Sequence, residues 1–137
     1  ASATARLLAA TNVTVGNIVL TDGKVSITAS AGSILDADAL VLGSNDANED
    51  ITASALRLNA GSAIGDSVNH LETTVVTLSA EAKNGSIYLL EADSVTIDDV
   101  SLSVNRVGSD ASTGAFSANS SYRPDTITMS NCDSSMG

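Results

Sequence analysis

The chain has 137 residues, 16 acidic against 6 basic side chains, a net charge of −10, and a hydrophobic fraction of 43% with aromatics at only 2%. Such a length is one domain's worth and can bury a real core. The charge repels phosphate backbones and anionic membrane surfaces, so nucleic acid is a poor partner, and no run of about eighteen apolar residues offers a membrane span.

The single cysteine, Cys132, excludes an internal disulfide, and no Cys or His cluster has zinc-ligand spacing. Most of the apolar residues are Ala, Val, Leu and Ile, which suit narrow, repeated layers. The opening ASATARLLAATN carries no charged and then apolar leader, so the chain reads as mature or as a window cut from something longer.

In chain order, residues 1–10 are rich in helix formers and predict a short helix that caps the first layer of a solenoid. Residues 11–107 predict the solenoid body. From Asn12, NVTVGNIVLTDGKVSITAS alternates with period two, placing Val13, Val15, Ile18, Leu20, Val25 and Ile27 inward. Asp22-Gly23 lies between two such runs and is also a hairpin signal, as is Asn84-Gly85. Both favour the rival fold, an antiparallel β-sandwich.

Internal repetition argues the other way. Gly32-Ser33-Ile34 returns as Gly85-Ser86-Ile87, and Ala37 to Leu42 (ADALVL) returns as Ala92 to Ile97 (ADSVTI). Weaker copies are Ala53 to Leu58, Gly61 to Ile64, and Asp125 to Met129. Each is a small-residue corner followed by a short alternating strand. Uneven spacing suits corners that carry loops, such as Ser44 to Asp50. At about 20–25 residues per turn, the chain is expected to make five or six turns. Residues 108–124, polar and bearing Phe116, Tyr122 and Pro124, predict a loop or cover, and residues 125–137 a terminal strand and tail.

The run ITASALRLNAGSAIGDSVNHLETTVVTLSAEAKNGSIYLLEADSVTIDD, beginning at Ile51, resembles the β-helical shaft segments of large secreted bacterial adhesins of the filamentous-haemagglutinin type. The resemblance rests on strands such as ITASALRL and VVTLSA flanking the turn at Ala63 to Ser67, with Leu71-Glu72-Thr73 and an NGSIYL strand after it. His70 stands where such shafts often carry proline. The resemblance implies a right-handed parallel β-helix, secreted and displayed on a bacterial cell surface, with structural or attachment duties and no catalytic residues.

Candidate chemistry is sparse. His70, the only histidine, has Ser67 and Glu72 nearby, but no GxSxG accompanies them and a corner histidine is the plainer reading. Acids at Asp36, Asp38, Asp46, Glu49 and Asp50, and at Glu91, Asp93, Asp98 and Asp99, could bind calcium through carboxylate oxygens. Neither the EF-hand loop nor GGxGxD appears, so they read as solubilising groups on corners and outer faces. A polysaccharide-cleaving groove would want an acid pair, a basic residue such as Arg57 or Arg106, and aromatic platforms; only Phe116, Tyr88 and Tyr122 are at hand.

These readings converge on an all-β chain, a parallel β-solenoid without catalytic, cofactor or metal residues. The expected role is a rigid extracellular shaft or filament that stacks end to end or continues a longer chain. The alternatives are an adhesin module binding a cell-surface ligand through its loops, and a β-helical polysaccharide-degrading enzyme.

Overall fold

Short runs of alternating aliphatic residues make strands that bury one face, and such a strand needs neighbours with the same spacing. The computed structural model describes residues 3–38, 48–107 and 113–120, and among these it contains ten strands and no helix. They are β1 (Thr4–Ala9), β2 (Val13–Val15), β3 (Ile18–Ala29), β4 (Ile34–Asp36), β5 (Ile51–Ala60), β6 (Leu71–Ala82), β7 (Leu89–Glu91), β8 (Thr96–Ile97), β9 (Val100–Val107) and β10 (Thr113–Ser120). All but the last two pair in parallel: β1 with β3, β3 with β5, β5 with β6, β6 with β7 and β8, and β2 with β4. The chain is a β-solenoid, of about four turns among the described residues.

Each coil has three sides. Side one stacks Thr4–Ala9, Lys24–Ala29, Ala55–Ala60 and Thr77–Ala82, with Thr96–Ile97 below. Side two stacks β2 on β4 and continues as single bridges from Ile34 to Ile64 and Ile64 to Ile87. Side three stacks Ile18–Leu20, Ile51–Ala53 and Thr73–Val75, with β7 pairing beneath Leu71–Thr73. In β5 the buried positions switch from Ile51 and Ala53 to Leu56, Leu58 and Ala60. That change of parity turns the chain at Ser54, whose hydroxyl donates to the Gly23 carbonyl at 2.7 Å.

Stacking produces columns of like residues. Val25, Leu56, Leu78 and Ile97 form one, and Ile34, Ile64 and Ile87 another. A column of Ala9, Ala29, Ala60 and Ala82 leads into the corner after side one, where larger side chains would crowd. The corners keep the axial ladder through main-chain bonds: Ser30 N–H to Ala9 O at 2.9 Å, Gly61 to Ala29 at 2.8 Å, and Lys83 to Ala60 at 3.0 Å. Side chains fill the gaps, as when Asn12 Oδ1 accepts from Ser33 N–H at 2.8 Å.

Several expectations change. Residues 4–9 are a strand, because pairing with the open edge of β3 satisfies more backbone groups than a helix of that length could. Asp22-Gly23 lies inside β3, at a register shift between Leu20 and Lys24, and Asn84-Gly85 turns a corner toward Ile87; neither makes a hairpin, and the sandwich is excluded. The described residues make about four turns, where five or six are expected for the whole chain. One reason is that the step from Ile27 to Leu58 takes 31 residues, against 20 from Leu7 to Ile27 and 22 from Leu58 to Ala80. The other is that the chain leaves the stack after β8. The Gly-Ser-Ile copies do superpose. Within Ala92 to Ile97, however, Ile97 and not Val95 occupies the column of Leu56. Residues 39–42 of the first ADALVL copy, most of the Ser44 to Asp50 loop, and residues 121–137 lie outside the described residues.

The region read as a loop from residue 108 contains β10, antiparallel to β9. β9 crosses the solenoid, touching β1, β3, β5 and β6. Its Ser101 and Ser103 carbonyls accept from Lys24 Nζ at 3.1 Å and Thr4 Oγ1 at 3.4 Å. Val100 and Leu102 are buried outside the main core, and Ser26 and Ser79, at outward-facing register positions on side one, are fully buried. The hairpin thus straps several coils together.

Ile64 is completely buried between Ile34 and Ile87. Ile64→Ala is expected to lower unfolding free energy in urea by about 2–5 kcal/mol. Val76→Ala, at a corner where the side chain is 65% exposed, should change it by less than about 0.5 kcal/mol.

Candidate functional site

The corner between sides two and three gathers acids that are far apart in sequence. Asp36 ends β4, Asp50 immediately precedes β5, and Glu72 lies in β6 one coil on. Stacking places Asp50 directly against Glu72: Asp50 N–H donates to Glu72 O at 2.9 Å, and Glu72 N–H donates to Asp50 Oδ2 at 2.9 Å. Asp36 is turned by its own side chain, Oδ1 accepting from Asp38 N–H at 2.7 Å. One carboxylate oxygen from each of Asp36, Asp50 and Glu72 lies within 4.8 Å of the others.

Asp50 and Glu72 are buried, and Asp36 is half-buried. Asp50 is 1% exposed and Glu72 4%. Burial pushes the Asp50 carboxyl up to about 8; the bond from Glu72 N–H pulls it back, and the carboxylates of Asp36 and Glu72 raise it again. Asp50 Oδ1 and Asp36 Oδ2 are buried and meet no donor. Ionised carboxylates that face one another have no proton to give, so these oxygens are paired when Asp50 keeps its proton or when a cation joins them.

A second buried acid lies below. Glu91 is 1% exposed at the end of β7, stacked under Thr73. Its Oε2 accepts from Thr73 Oγ1 at 2.6 Å and its Oε1 from Val75 N–H at 2.8 Å. β7 stops at Glu91, so the carboxylate stands in for the backbone acceptor that a longer strand would offer Val75. Burial raises its pKa to about 7 despite these donors, with Asp93 adding to the rise.

The other residues singled out in the sequence fall elsewhere. Ser67 donates to Asp66 Oδ1 at 3.4 Å, within a turn closed by bonds between Asp66 and Asn69. This turn begins at Gly65, whose φ of +68° and tight approach to the Tyr88 carbonyl leave no room for a Cβ. His70 packs edge-on against Tyr88, ring centroids 5.8 Å apart, and burial holds its pKa below the ordinary value. Arg57 points outward as expected, its guanidinium donating to Ser26 and Thr28 hydroxyls at 3.1 and 3.2 Å. Asp38 accepts from Asn48 at 3.3 Å, and Asp98 accepts from Asp99 N–H at 2.8 Å. Asp46 and Tyr122 lie outside the described residues, as do the side chains of Arg106 and Phe116. Asp50 and Glu91, both buried, correct the reading of their acidic groups as outer-face residues. Glu72 stands out in the sequence only as a neighbour of His70; its place with Asp36 and Asp50 comes from the coil register, which no local signal carries.

Beside this corner an open cleft of about 670 Å3 is lined by Asn17, Val19, Asp38, Asn48, Glu49 and Thr52, with Gly16 at its edge. The buried trio itself is closed to a sugar ring; its geometry suits holding a proton or a cation.

The folded pKa of Glu91 lies above its ordinary 4.5, so the folded state keeps the proton to higher pH. Its contribution to stability is whole below about pH 4.5 and is lost as pH rises to about 7. Glu91→Gln keeps the shape without the charge. Urea unfolding should find it close to the parent at about pH 4.5 and more stable by roughly 3 kcal/mol at about pH 8. A stability difference that does not grow with pH would contradict the assignment. No protein family, curated protein or solved structure matches this chain.

Proposed function

We propose that this chain is a structural segment of an extracellular bacterial surface protein, a rigid shaft that lengthens by coil-on-coil stacking. The observation that carries this reading is the edge of the first coil. Among the described residues β1 pairs on one side only, with β3. Leu7 continues the column of Ile27, yet is 36% exposed where Ile27 is 0%. An apolar column that stops at an open backbone edge is what a further coil would cover, whether from a second copy or from a longer chain. Head-to-tail contact of this kind does not close on itself and so builds rods. The acidic, Ser- and Thr-rich outside keeps such rods soluble and apart.

A second reading, an adhesin module, draws on the polar cleft lined by Asn17, Asp38, Asn48 and Glu49, which could receive a cell-surface ligand.

Sedimentation and negative-stain microscopy over a wide concentration range separate the two. The shaft reading expects rods that lengthen with concentration, and Leu7→Lys, which sets a charge in the column at the edge, should weaken association at least about tenfold. Monodisperse monomer throughout, combined with saturable glycan or protein binding, would favour the adhesin and remove the shaft.

A further inference from the structure

We propose that Asp36, Asp50 and Glu72 bind one calcium ion at the corner between sides two and three, stapling one coil to the next. One oxygen from each lies within 4.8 Å of the others. A point within about 2.8 Å of all three oxygens therefore exists, and a small inward adjustment of the carboxylates brings them to calcium–oxygen distances of about 2.3–2.6 Å around a single ion.

Acids gathered together would by themselves be only a repulsive patch. What points to a ligand is Asp50, 1% exposed, with Oδ2 engaged by Glu72 N–H and Oδ1 buried without a donor. Asp36 Oδ2 is buried without a donor as well. Leaving such oxygens unpaired in a low-dielectric site is costly, and the side chains that act on Asp50 are themselves carboxylates. A divalent cation between them supplies the missing partner and offsets their repulsion.

The donor set selects the ion. Oxygen ligands alone favour a hard cation over zinc or copper. Magnesium demands near-ideal octahedral geometry and keeps its waters, which three protein carboxylates converging from different coils do not favour; calcium accepts six to eight oxygens in irregular arrangements. A further acceptor sits at the same corner: Asn69 donates to Asp38 O at 3.3 Å through Nδ2, while its Oδ1 is buried without a donor. Asp36 and Asp50 both lie within the 31-residue step from Ile27 to Leu58, and Glu72 belongs to the next coil. The ion would therefore tie the longest coil to the one that follows it.

The test uses the whole 137-residue chain, stripped with chelator and titrated with CaCl2 by calorimetry, with melting followed by circular dichroism. The expected result is one calcium per chain and a melting temperature raised by about 5–10 °C when calcium is at roughly a hundred times Kd. Asp50→Asn should abolish both the heat and the calcium-dependent shift while melting in chelator at or above the parent's temperature, which shows that it is folded. Asp22→Asn, at an exposed corner, should respond to calcium as the parent does. No calcium-dependent heat or shift in the parent, an undiminished response in Asp50→Asn, or a response to MgCl2 equal to that with CaCl2 would each overturn the proposal.

Discussion

Parallel pairing of each coil with the one above and below it is the constraint on which everything else depends. Because Ile27 hydrogen-bonds in register with Leu58, and Leu58 with Ala80, a residue's neighbours are set by its place in the coil and not by its distance along the chain. Hydrogen bonds run along the axis at the sides and continue through the corners, so nearly every coil needs its neighbour to satisfy its backbone. The same arrangement makes the core narrow. Columns of Ile, Leu and Ala pack without aromatics, which accounts for a chain with a hydrophobic fraction of 43% and an aromatic fraction of 2%.

The same constraint decides how much is legible in the sequence. Period-two alternation marks Val13, Val15, Val25 and Ile27 as inward, and the Gly-Ser-Ile copies mark positions that the structure superposes as Ile34, Ile64 and Ile87. Those signals are local or repeated. The strand at Thr4–Ala9 is hidden because its own composition favours helix, and only the edge of β3 reverses that preference. Asp22-Gly23 is ambiguous because a solenoid corner and a hairpin turn ask for the same residues. Asp36 and Asp50 are legible as members of one acidic group, but their meeting with Glu72 is not, since finding it requires the coil length, and the second coil is about ten residues longer than its neighbours.

The acids themselves have a common logic. Both buried carboxylate sites sit where the axial ladder is interrupted. Glu91 takes over where β7 ends and Val75 N–H has lost its strand partner. Asp50 takes over just before β5 begins and receives Glu72 N–H. Asn12, accepting from Ser33, does the same at an exposed corner without a charge. Side chains thus repair a backbone lattice that the turns cannot keep unbroken, and an acid serves where the acceptor must reach into the interior.

The two repairs differ in what is left over, and that difference bears on function. Glu91 spends both oxygens on donors, Thr73 Oγ1 and Val75 N–H, so its site is complete without any added ligand. Asp50 spends only one, and its free oxygen is buried beside Asp36 and Glu72. Were backbone repair the whole purpose of the corner, a neutral Asn at position 50 would serve, as Asn12 does in the first coil, and would spare the fold three carboxylates in one place. Keeping all three makes physical sense if a cation completes the corner. In a shaft built of coils that hold only their neighbours, the longest coil orders the most chain for each axial contact, and that is the coil such an ion would tie to the next.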